Sequence, residues 1–480
     1  MSVVRDARVL SAIVALALIL SIRTFATWNS AKPANGMMDL RAFWCAGKAV
    51  SEKANPYLTE PLRSCEHSIS EVLLRRWPNA VIPFVHPGYD AAAFAALARL
   101  PFGPAATLFL ALAFASLGCA MWLLVRTLDM PWPLVTASLG ISIGLPTLLY
   151  GQVTAFELLA VAASAAALSA GRDRLAGALA SLTLLEPHIG LFVVLATAAV
   201  VRGARITLAA GTGLLAVLAI VATGPAPQMM WLSGLGLQAI AEARYEGQYS
   251  LTYVLTLFGV PTAAALALGA ASTLALLTAS VLVARRVSQP GRAAVVLVPT
   301  AFAVVGGTFI HLTQIALAIP AALLLYRIAS TPLRRTLAAL ALVLLTVPWS
   351  YAAFSKQMLG FGLVTLAVVV WHVSGRSIRT SLAAVAACWI IFATIENHPP
   401  PPQAAPAVHR ASGSALATLS WTELVAGFRG DDVERIVVKI PTWLGLSLVI
   451  LSALLAAGAR ANGLESSRAK AAGMHPSAIR

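Results

Sequence analysis

The chain has 480 residues, of which 59% are apolar and 11% are charged, and it carries a formal net charge of +15. This apolar fraction exceeds what a water-soluble core requires, so the composition excludes an ordinary soluble enzyme and predicts a polytopic membrane protein. The Lys and Arg residues fall in small groups between apolar segments, without a continuous basic face, and therefore do not indicate nucleic-acid binding. They predict membrane topology and contact with lipid head groups.

The first apolar segment, Val9–Ala26, has no small-residue cleavage site and carries Arg23 near its outer end. We therefore predict a signal-anchor helix over residues 1–26. Residues 27–103 follow as a first extracytoplasmic loop long enough to contain its own helices, and Asp90–Leu100 has the spacing of an interfacial amphipathic helix. Asp39 lies in this loop, where a carboxylate at the mouth of a membrane bundle is a functional candidate.

Later apolar segments predict a transmembrane core over residues 104–396 and a last transmembrane helix over residues 441–458. The segments are Pro104–Val125, Trp132–Leu149, Val153–Ala170, Ile206–Ala222, Ala263–Val283, Ala293–Val305, Leu312–Leu325, Leu337–Val347, Leu359–Val373, Leu382–Ile395 and Trp443–Ala457. Several are shorter than the roughly 20 residues that cross a bilayer upright, so we expect some broken or partly re-entrant helices.

The segment Leu175–Val201 has arginines at both ends and is interrupted by Glu186-Pro187-His188. If positive residues mark the cytoplasmic side, both ends lie inside, and the segment is predicted to be a helical hairpin. Positive groups then alternate consistently over roughly 14 crossings with both termini cytoplasmic. The predicted fold is an all-α polytopic bundle of roughly 11–14 transmembrane helices with a helical first extracytoplasmic loop.

The same topology predicts two further extracytoplasmic loops, at residues 224–250 and 397–440, and a cytoplasmic tail at 459–480. The last loop starts with four prolines at 399–402, which favour an extended polyproline segment, and reaches a predicted short helix at Trp421–Leu424. This loop either covers a cleft or only tethers the last helix.

Several short motifs occur in the order found in a known family. They are Asp39-Leu40-x-x-Phe43-Trp44-x-Ala46-Gly47, Asn55-Pro56-Tyr57, Val85-His86-Pro87-Gly88, Gly151-Gln152, Gly171-Arg172, Pro187-His188 and Ser250-Leu251. With this order and topology, the chain resembles, over roughly Val9 to Ile328, the GT-C glycosyltransferases of family 87, which are polyprenol-phosphate-mannose-dependent alpha-mannosyltransferases. Each motif is weak individually, and the resemblance depends on their order.

The resemblance implies a GT-C-type bundle that transfers a hexose, with mannose as the first candidate, from a polyprenyl-phosphate donor to a glycolipid or polysaccharide acceptor. It also implies that Asp39 is the general base. Inverting transfer needs one carboxylate near the acceptor hydroxyl, and no second acidic residue stands out near Asp39 in the sequence. The alternative for Asp39 is a helix N-cap, because it precedes a predicted helix through Val50.

Donor binding requires positive or hydrogen-bond-donating groups near the phosphate. The family's usual lysine before the hairpin proline is replaced by Glu186 here, which weakens any transfer of phosphate recognition to that position. His188 can still donate to a phosphate or an acceptor hydroxyl, the alternative being a hydrogen-bonded buried histidine. His311, at an outer turn, is expected either to face the same cavity or to cap a helix end.

Other predicted substrate-binding residues are less specific: Arg41, Trp44, Gln152, Glu157, Arg244 and Tyr245. Glu157 lies one turn into apolar sequence, so it either pairs with a cation such as Arg41 or faces a wet cleft. Arg244 can hold a lipid phosphate and Tyr245 can stack on a sugar, whereas interfacial anchoring is the alternative for both.

Cys45 and Cys65 both fall in the first extracytoplasmic loop, where a disulfide between them is an open alternative. No Walker motif, dinucleotide fingerprint or zinc spacing occurs, so no cofactor is required, and divalent metal dependence stays open. The expected partners are the lipid-linked sugar donor, a lipid or glycan acceptor and membrane lipids, with no nucleic acid and an unassigned oligomeric state.

We expect a multi-pass protein of the cell inner membrane with an extracytoplasmic active site. A transporter or flippase of a lipid-linked or polysaccharide intermediate is the second hypothesis. It predicts coupling residues near the midplane, whereas the polar candidates collect on one side, which favours the enzyme.

Overall fold

The fold is known from a computed structural model, and the structure describes residues 37–69, 81–243, 245, 247–287, 292–347, 349, 412–426, 436 and 438–471, with positions 7, 10, 11, 14 and 15. Most of the predicted signal anchor, the segments Leu359–Val373 and Leu382–Ile395, the prolines at 399–402 and Arg244 lie outside these residues.

The described chain is helical, with no strand among those residues and two isolated β-bridges. In chain order the helices are α1 (Met38–Ser51), α2 (Thr59–Ile69), α3 (Gly88–Leu97), α4 (Phe102–Leu128), α5 (Trp132–Tyr150), α6 (Thr154–Ser169), α7 (Asp173–Ser181), α8 (Pro187–Val200), α9 (Arg205–Thr223), α10 (Pro225–Glu242), α11 (Leu251–Leu257), α12 (Thr262–Val287), α13 (Ala294–Ala303), α14 (Leu312–Ile315), α15 (Ile319–Ile328), α16 (Pro332–Thr346), α17 (Ala417–Ala426) and α18 (Ile440–Ala471). The predicted all-α class is confirmed.

Five helical segments of the described chain are long and apolar enough to cross a membrane: Phe102–Leu128, Trp132–Tyr150, Arg202–Thr223, Thr262–Val287 and Ile440–Ala459. Shorter apolar helices lie at Thr154–Ser169, Pro187–Val200, Ala294–Ala303 and Leu312–Ile328. On α9, Ile206 is 83% and Val221 76% exposed. An apolar helix left uncovered in this way requires lipid around it. The chain is a multi-pass membrane protein.

The segment interrupted by Glu186 forms two helices. Helix α7 ends at Ser181, a short 3₁₀ turn covers Leu182–Leu185, and Pro187 begins α8. Proline is tolerated there because its missing N–H lies in the first turn of a helix. A Cβ atom added to Gly190 would lie 2.3 Å from the carbonyl oxygen of Thr183. The 3₁₀ turn therefore packs directly on α8 and places the side chains at 186 and 188 beside the bundle core.

Within the predicted extracytoplasmic loop at 224–250, Pro225–Glu242 forms the helix α10. The sequence Gly224-Pro225-Ala226-Pro227 looks like a loop, but Gly224 adopts φ 86° and Pro225 begins the helix. The prolines occupy the first turn, where no backbone hydrogen bond is lost. Helix α10 ends at Glu242, which is 1% exposed.

The first loop is a folded layer that packs on the core. Cys45 of α1 and Cys65 of α2 form a disulfide. A Cβ atom added to Gly47 would lie 2.3 Å from the backbone of Phe94, so α1 and α3 are in close contact. This packing holds the first turn of α1 in a fixed position.

Residues 412–426 dock on the same layer. The Thr59 amide donates to the carbonyl of Ala415 at 2.8 Å, and the Ala417 amide donates to that of Tyr57 at 2.9 Å. On the other side, the hydroxyl of Thr422 in α17 donates to the Leu237 carbonyl in α10 at 3.3 Å. The loop at 397–440 is expected either to cover a cleft or only to tether the last helix. These contacts favour the first alternative, because residues 412–426 bridge the first loop and α10.

Candidate active site

Asp39 lies in the first turn of α1, one residue after the helix begins at Met38. The N-cap residue is Met37, so the alternative role of Asp39 as an N-cap is wrong. Its carboxylate accepts a hydrogen bond from the side-chain amide of Gln152. The predicted site residues Asp39 and Gln152 are therefore brought together from positions that are far apart in the sequence.

This contact depends on how α5 ends. Gly151 adopts φ 72°, a left-handed conformation in which glycine has no steric penalty. A Cβ atom at Gly151 would lie 2.4 Å from the Cβ of Leu40, so the two segments approach too closely for a larger residue. The amide of Met37 also donates to the Leu149 carbonyl at 2.5 Å. Together these contacts hold the start of α1 against the end of α5.

Burial raises the pKa of Asp39 from 3.8 to about 6, although the Gln152 hydrogen bond and the positive charge of His86 act in the opposite direction. A carboxyl with a pKa of about 6 is largely ionised at neutral pH and is more basic than an ordinary aspartate. General-base catalysis is most effective when the pKa of the base lies near the working pH. The environment of Asp39 therefore suits proton acceptance.

Two other carboxylates act electrostatically on Asp39, namely Glu186 before α8 and Glu242 at the end of α10. No second acidic residue stands out near Asp39 in the sequence, but the fold brings these two glutamates within electrostatic range of it. Both were missed because they are distant in sequence and belong to segments interpreted as a turn and a loop. The site is acidic, and a negatively charged substrate entering it needs positive charge from the protein.

His86 and Asp90 supply a buried ionic pair beside these carboxylates. His86 Nδ1 lies 3.0 Å from Asp90 Oδ2 and 3.1 Å from the carbonyl oxygen of Leu185. Burial alone lowers the pKa of His86, but the negative charge of Glu186 and the hydrogen bond to Asp90 together raise it to about 9. At neutral pH the imidazole is therefore positively charged.

Glu242 is the centre of a second polar network. Its Oε1 accepts hydrogen bonds from Gln238 Nε2 at 2.6 Å and from Trp421 Nε1 at 3.1 Å, and its Oε2 accepts one from Gln248 Nε2 at 2.7 Å. Burial raises the pKa of Glu242 to about 7 in spite of these donors. Because Trp421 belongs to α17, the network joins the covering segment to the end of α10.

The predicted histidines lie on the same side of the bundle. His188 Nδ1 is 3.8 Å from Glu186 Oε2, and His311 Nε2 is 3.7 Å from Glu242 Oε2. The ring of Phe309 packs edge-on against both imidazoles, with centroid distances of 5.4 Å and 4.7 Å. His188 and His311 therefore occupy one polar layer with the two glutamates.

A glutamine connects the two halves of this layer. Gln314 Nε2 donates to Glu186 Oε2 at 3.1 Å, and Gln314 Oε1 accepts the backbone amide of His311 at 2.9 Å. His311 is the N-cap residue of α14, so the capping alternative is correct for its backbone. Its ring meanwhile lies 3.2 Å from Gln248 Nε2, within the network around Glu242.

Two predicted binding residues are committed to packing. Arg41 is 7% exposed and interacts electrostatically with buried Glu66. Trp44 is 8% exposed and donates its indole N–H to the Leu100 carbonyl at 3.2 Å. These contacts assign both side chains to the interior of the first loop.

Glu157 is fully buried in α6, and neither carboxylate oxygen has a hydrogen-bond partner among the described residues. The electrostatic neighbours of its carboxylate are Glu186 and Asp90, so of the two alternatives for Glu157 these contacts do not support pairing with a cation. Tyr245 packs edge-on against His311 and Trp421, with centroid distances of 6.1 Å and 5.7 Å. Its ring therefore borders the polar layer where a sugar-stacking group is expected.

The sequence carries only faint signals for the residues that were missed. His86 and Asp90 are four residues apart, which is the spacing of a side-chain pair on a helix, but His86 precedes α3 and the pairing is visible only in the fold. Glu242 is the first acidic residue after a long apolar segment, and this position marks it as unusual. Gln248 and Gln314 have no local signature.

The comparisons with known proteins identify one similarity. Residues 84–306 match the model of glycosyltransferase family 87. No curated protein and no solved structure matches the chain. The matched segment covers just under half of the chain and includes Gln152, His188 and Tyr245, whereas Asp39 and His311 lie outside it. Asp39 is nevertheless held by Gln152, which lies within the matched segment.

Proposed function

We propose that the protein is an integral membrane glycosyltransferase that transfers a hexose from a polyprenyl-phosphate donor to a glycolipid or polysaccharide acceptor. Mannose is the first sugar to test. The observation that carries the proposal is the partly buried Asp39 carboxylate, held by Gln152 of the segment that resembles family 87 and given a pKa of about 6. We assign the reaction to the extracytoplasmic face of the inner membrane on the basis of the predicted topology.

In the proposed reaction, the acceptor hydroxyl oxygen attacks the anomeric carbon and displaces the lipid phosphate with inversion. The bond between the anomeric carbon and the phosphate oxygen breaks, and its electron pair stays on the phosphate. Asp39 receives the hydroxyl proton as the new glycosidic bond forms. Gln152 acts as a positioning residue because its amide fixes the carboxylate and favours the ionised form.

A retaining reaction needs two carboxyl groups about 5–5.5 Å apart, one of which attacks the sugar. Glu242 is a poor nucleophile because three donors engage its two oxygens. Glu186 accepts a hydrogen bond from Gln314 and lies 3.8 Å from His188 Nδ1. These contacts support a single base at Asp39, so we propose inversion.

The test uses purified protein in detergent with radiolabelled polyprenyl-phosphate hexoses and membrane extract as the source of acceptor. Wild type is expected to transfer one of these sugars and Asp39→Asn to lose the transfer. Glu423→Gln, an exposed carboxylate of α17, is the matched control and should retain activity. The anomeric configuration of the product should be opposite to that of the donor.

Retained transfer in well-folded Asp39→Asn would exclude Asp39 as the base, and a product with the configuration of the donor would exclude inversion. If wild type consumes none of the donors, reconstitution in vesicles with a labelled lipid-linked sugar tests the transporter hypothesis. Movement of the label across the bilayer without sugar transfer would favour that second function.

A further inference from the structure

The lipid-linked donor proposed above carries a phosphodiester, and its leaving group gains a further negative charge as the sugar departs. Asp39, Glu186 and Glu242 make the described site acidic. Bringing a phosphate next to these carboxylates is unfavourable unless a cation lies nearby. The structure must therefore provide positive charge close to Asp39.

His86 meets the geometric requirements for that cation. Both acceptors near the ring, Asp90 Oδ2 and the Leu185 carbonyl, face Nδ1, so Nδ1 carries a proton. Nε2 makes no hydrogen bond to any side chain or backbone group in the described part of the chain. The ring is 7% exposed and packs edge-on against Phe43 at a centroid distance of 4.8 Å, which restricts its rotation. One ring nitrogen is thus held in place and the other is available to a ligand.

The charge of His86 also reaches the proposed base, Asp39. It acts electrostatically on Asp39 and on Glu186, two carboxylates that come from different parts of the fold. Other described cations near the site are already committed. Lys439 donates to the Gln248 carbonyl at 2.8 Å and lies 3.8 Å from the centroid of the Tyr253 ring, and Arg41 interacts with Glu66.

We propose that His86, oriented by Asp90, binds the phosphate of the lipid-linked donor through Nε2–H and stabilises that phosphate as it leaves. The imidazolium keeps its proton throughout, while the proton of the acceptor hydroxyl goes to Asp39. The interaction strengthens as negative charge accumulates on the phosphate, so it favours the transition state over bound donor. Asp90 is a positioning residue that acts through His86. This inference rests on the proposed function for the identity of the phosphate lipid.

A direct binding measurement tests the proposed role of His86 without requiring sugar transfer. The probe is a short-chain polyprenyl phosphate without sugar, with the matching polyprenol and inorganic phosphate as separate arms. A hydrogen bond to a charged group contributes about 1.5–3 kcal/mol, so His86→Gln should weaken binding of the lipid phosphate about tenfold to a hundredfold. Binding of the polyprenol should not change. If inorganic phosphate binds and the short-chain polyprenyl phosphate does not, the preferred ligand is a free anion and not a lipid head group. That result would overturn the lipid part of the proposal.

Two variants separate phosphate binding from catalysis. Asp39→Asn should bind the lipid phosphate as tightly as wild type or more tightly, because a negative charge is removed. Asp90→Asn should lower the pKa of His86, so that binding is lost at a lower pH than in wild type. In wild type, affinity should fall as the pH rises through about 9, where His86 loses its proton. The titratable groups around this ring are Asp39, Tyr57, Tyr89, Asp90, Glu186 and His188.

Equal affinity of folded His86→Gln and wild type would overturn the inference, as would a wild-type affinity that is constant from pH 7 to pH 10. The pH dependence of wild-type affinity tests the role of His86 even if His86→Gln fails to fold. If phosphate binding depends on His86 but no sugar is transferred, the proposed function fails and the phosphate site stands. If sugar is transferred with unchanged kcat and donor KM in His86→Gln, only the role of His86 fails.

Discussion

Replacing Asp39 with asparagine is expected to slow sugar transfer by at least about a hundredfold and, at neutral pH, to stabilise the protein. The two residues have nearly the same shape, and an asparagine carbonyl can still accept the hydrogen bond from Gln152. The amide cannot receive a proton, and loss of a general base typically costs about 10²–10⁴-fold in rate. Activity and stability should therefore change in opposite directions.

The stability gain follows from the raised pKa. Asp39 ionises at about pH 6 in the folded protein, compared with 3.8 for an ordinary aspartate. Below the lower value the carboxyl is protonated in both folded and unfolded chains, and burial has no ionic cost. As the pH rises from 3.8 to 6, the unfolded chain ionises first, so the free energy of unfolding decreases. Above pH 6 the carboxylate is charged in both states, and its burial lowers the free energy of unfolding by the full amount. This amount is at most about 3 kcal/mol for a pKa difference of about two units.

The real cost is smaller because Asp39 is only partly buried and solvent screens its charge. We expect Asp39→Asn to gain about 1–2 kcal/mol at pH 8, with most of that gain absent at pH 4. Thermal unfolding of both proteins in the same detergent, followed by tryptophan fluorescence across this pH range, measures the difference. Glu52→Gln is the control, because Glu52 lies at the other end of the same helix with 55% of its side chain exposed.

The result that would refute the stability argument is a difference in Tm between Asp39→Asn and wild type that is the same at pH 4 and pH 8. A less stable Asp39→Asn at pH 8 would refute it as well, since the folded protein would then stabilise the charged carboxylate in spite of its burial. Transfer within tenfold of wild type would separately refute the assignment of Asp39 as general base. The two parts of the prediction can therefore fail independently.

Two further predictions concern the contact between α1 and α5. Because the hydrogen bond from Gln152 lowers the pKa of Asp39, Gln152→Leu should move the acidic limb of the pH–rate profile to higher pH, and an unmoved limb would contradict this role. Gly151→Ala should destabilise the protein by more than about 1 kcal/mol and reduce transfer, because its Cβ would collide with Leu40 at a positive φ. The matched control is Gly171→Ala, which has φ 71° but no atom within 4 Å of the added Cβ, so equal losses of Tm in the two variants would exclude the collision.

The transmembrane part of the fold could be predicted from the sequence because apolar segments dictate where helices lie. The predicted segment Ile206–Ala222 and the observed helix Arg205–Thr223 differ by one residue at each end. Ile206 is exposed, so no tertiary contact of this side chain changes where the helix begins. Helix α10 could not be predicted in this way. Its amino-terminal Gly224 and prolines are typical of loops, and only the observed backbone shows that they begin a helix.

The sequence predicted several residues of the site, but it did not show how they contact one another. Asp39 is unusual within its own stretch of sequence, so local inspection finds it. Its hydrogen-bond donor is Gln152, and its electrostatic neighbours Glu186 and Glu242 come from two later segments. Such contacts depend on how α8 and α10 pack, and a sequence without its fold gives no measure of that packing.

The charge arrangement explains how an acidic residue can stand before Pro187 where the family resemblance leads one to expect lysine. Glu186 is the leading source of the raised pKa of His86, so the negative charge at position 186 maintains a positive charge at position 86. The hydrogen bond from Gln314 at 3.1 Å fixes that carboxylate, and Asp90 fixes the imidazole from the other side. A phosphate that meets His86 is therefore bound by a cation whose protonation depends on two carboxylates. Removing either carboxylate weakens the site even though each one alone would repel the ligand.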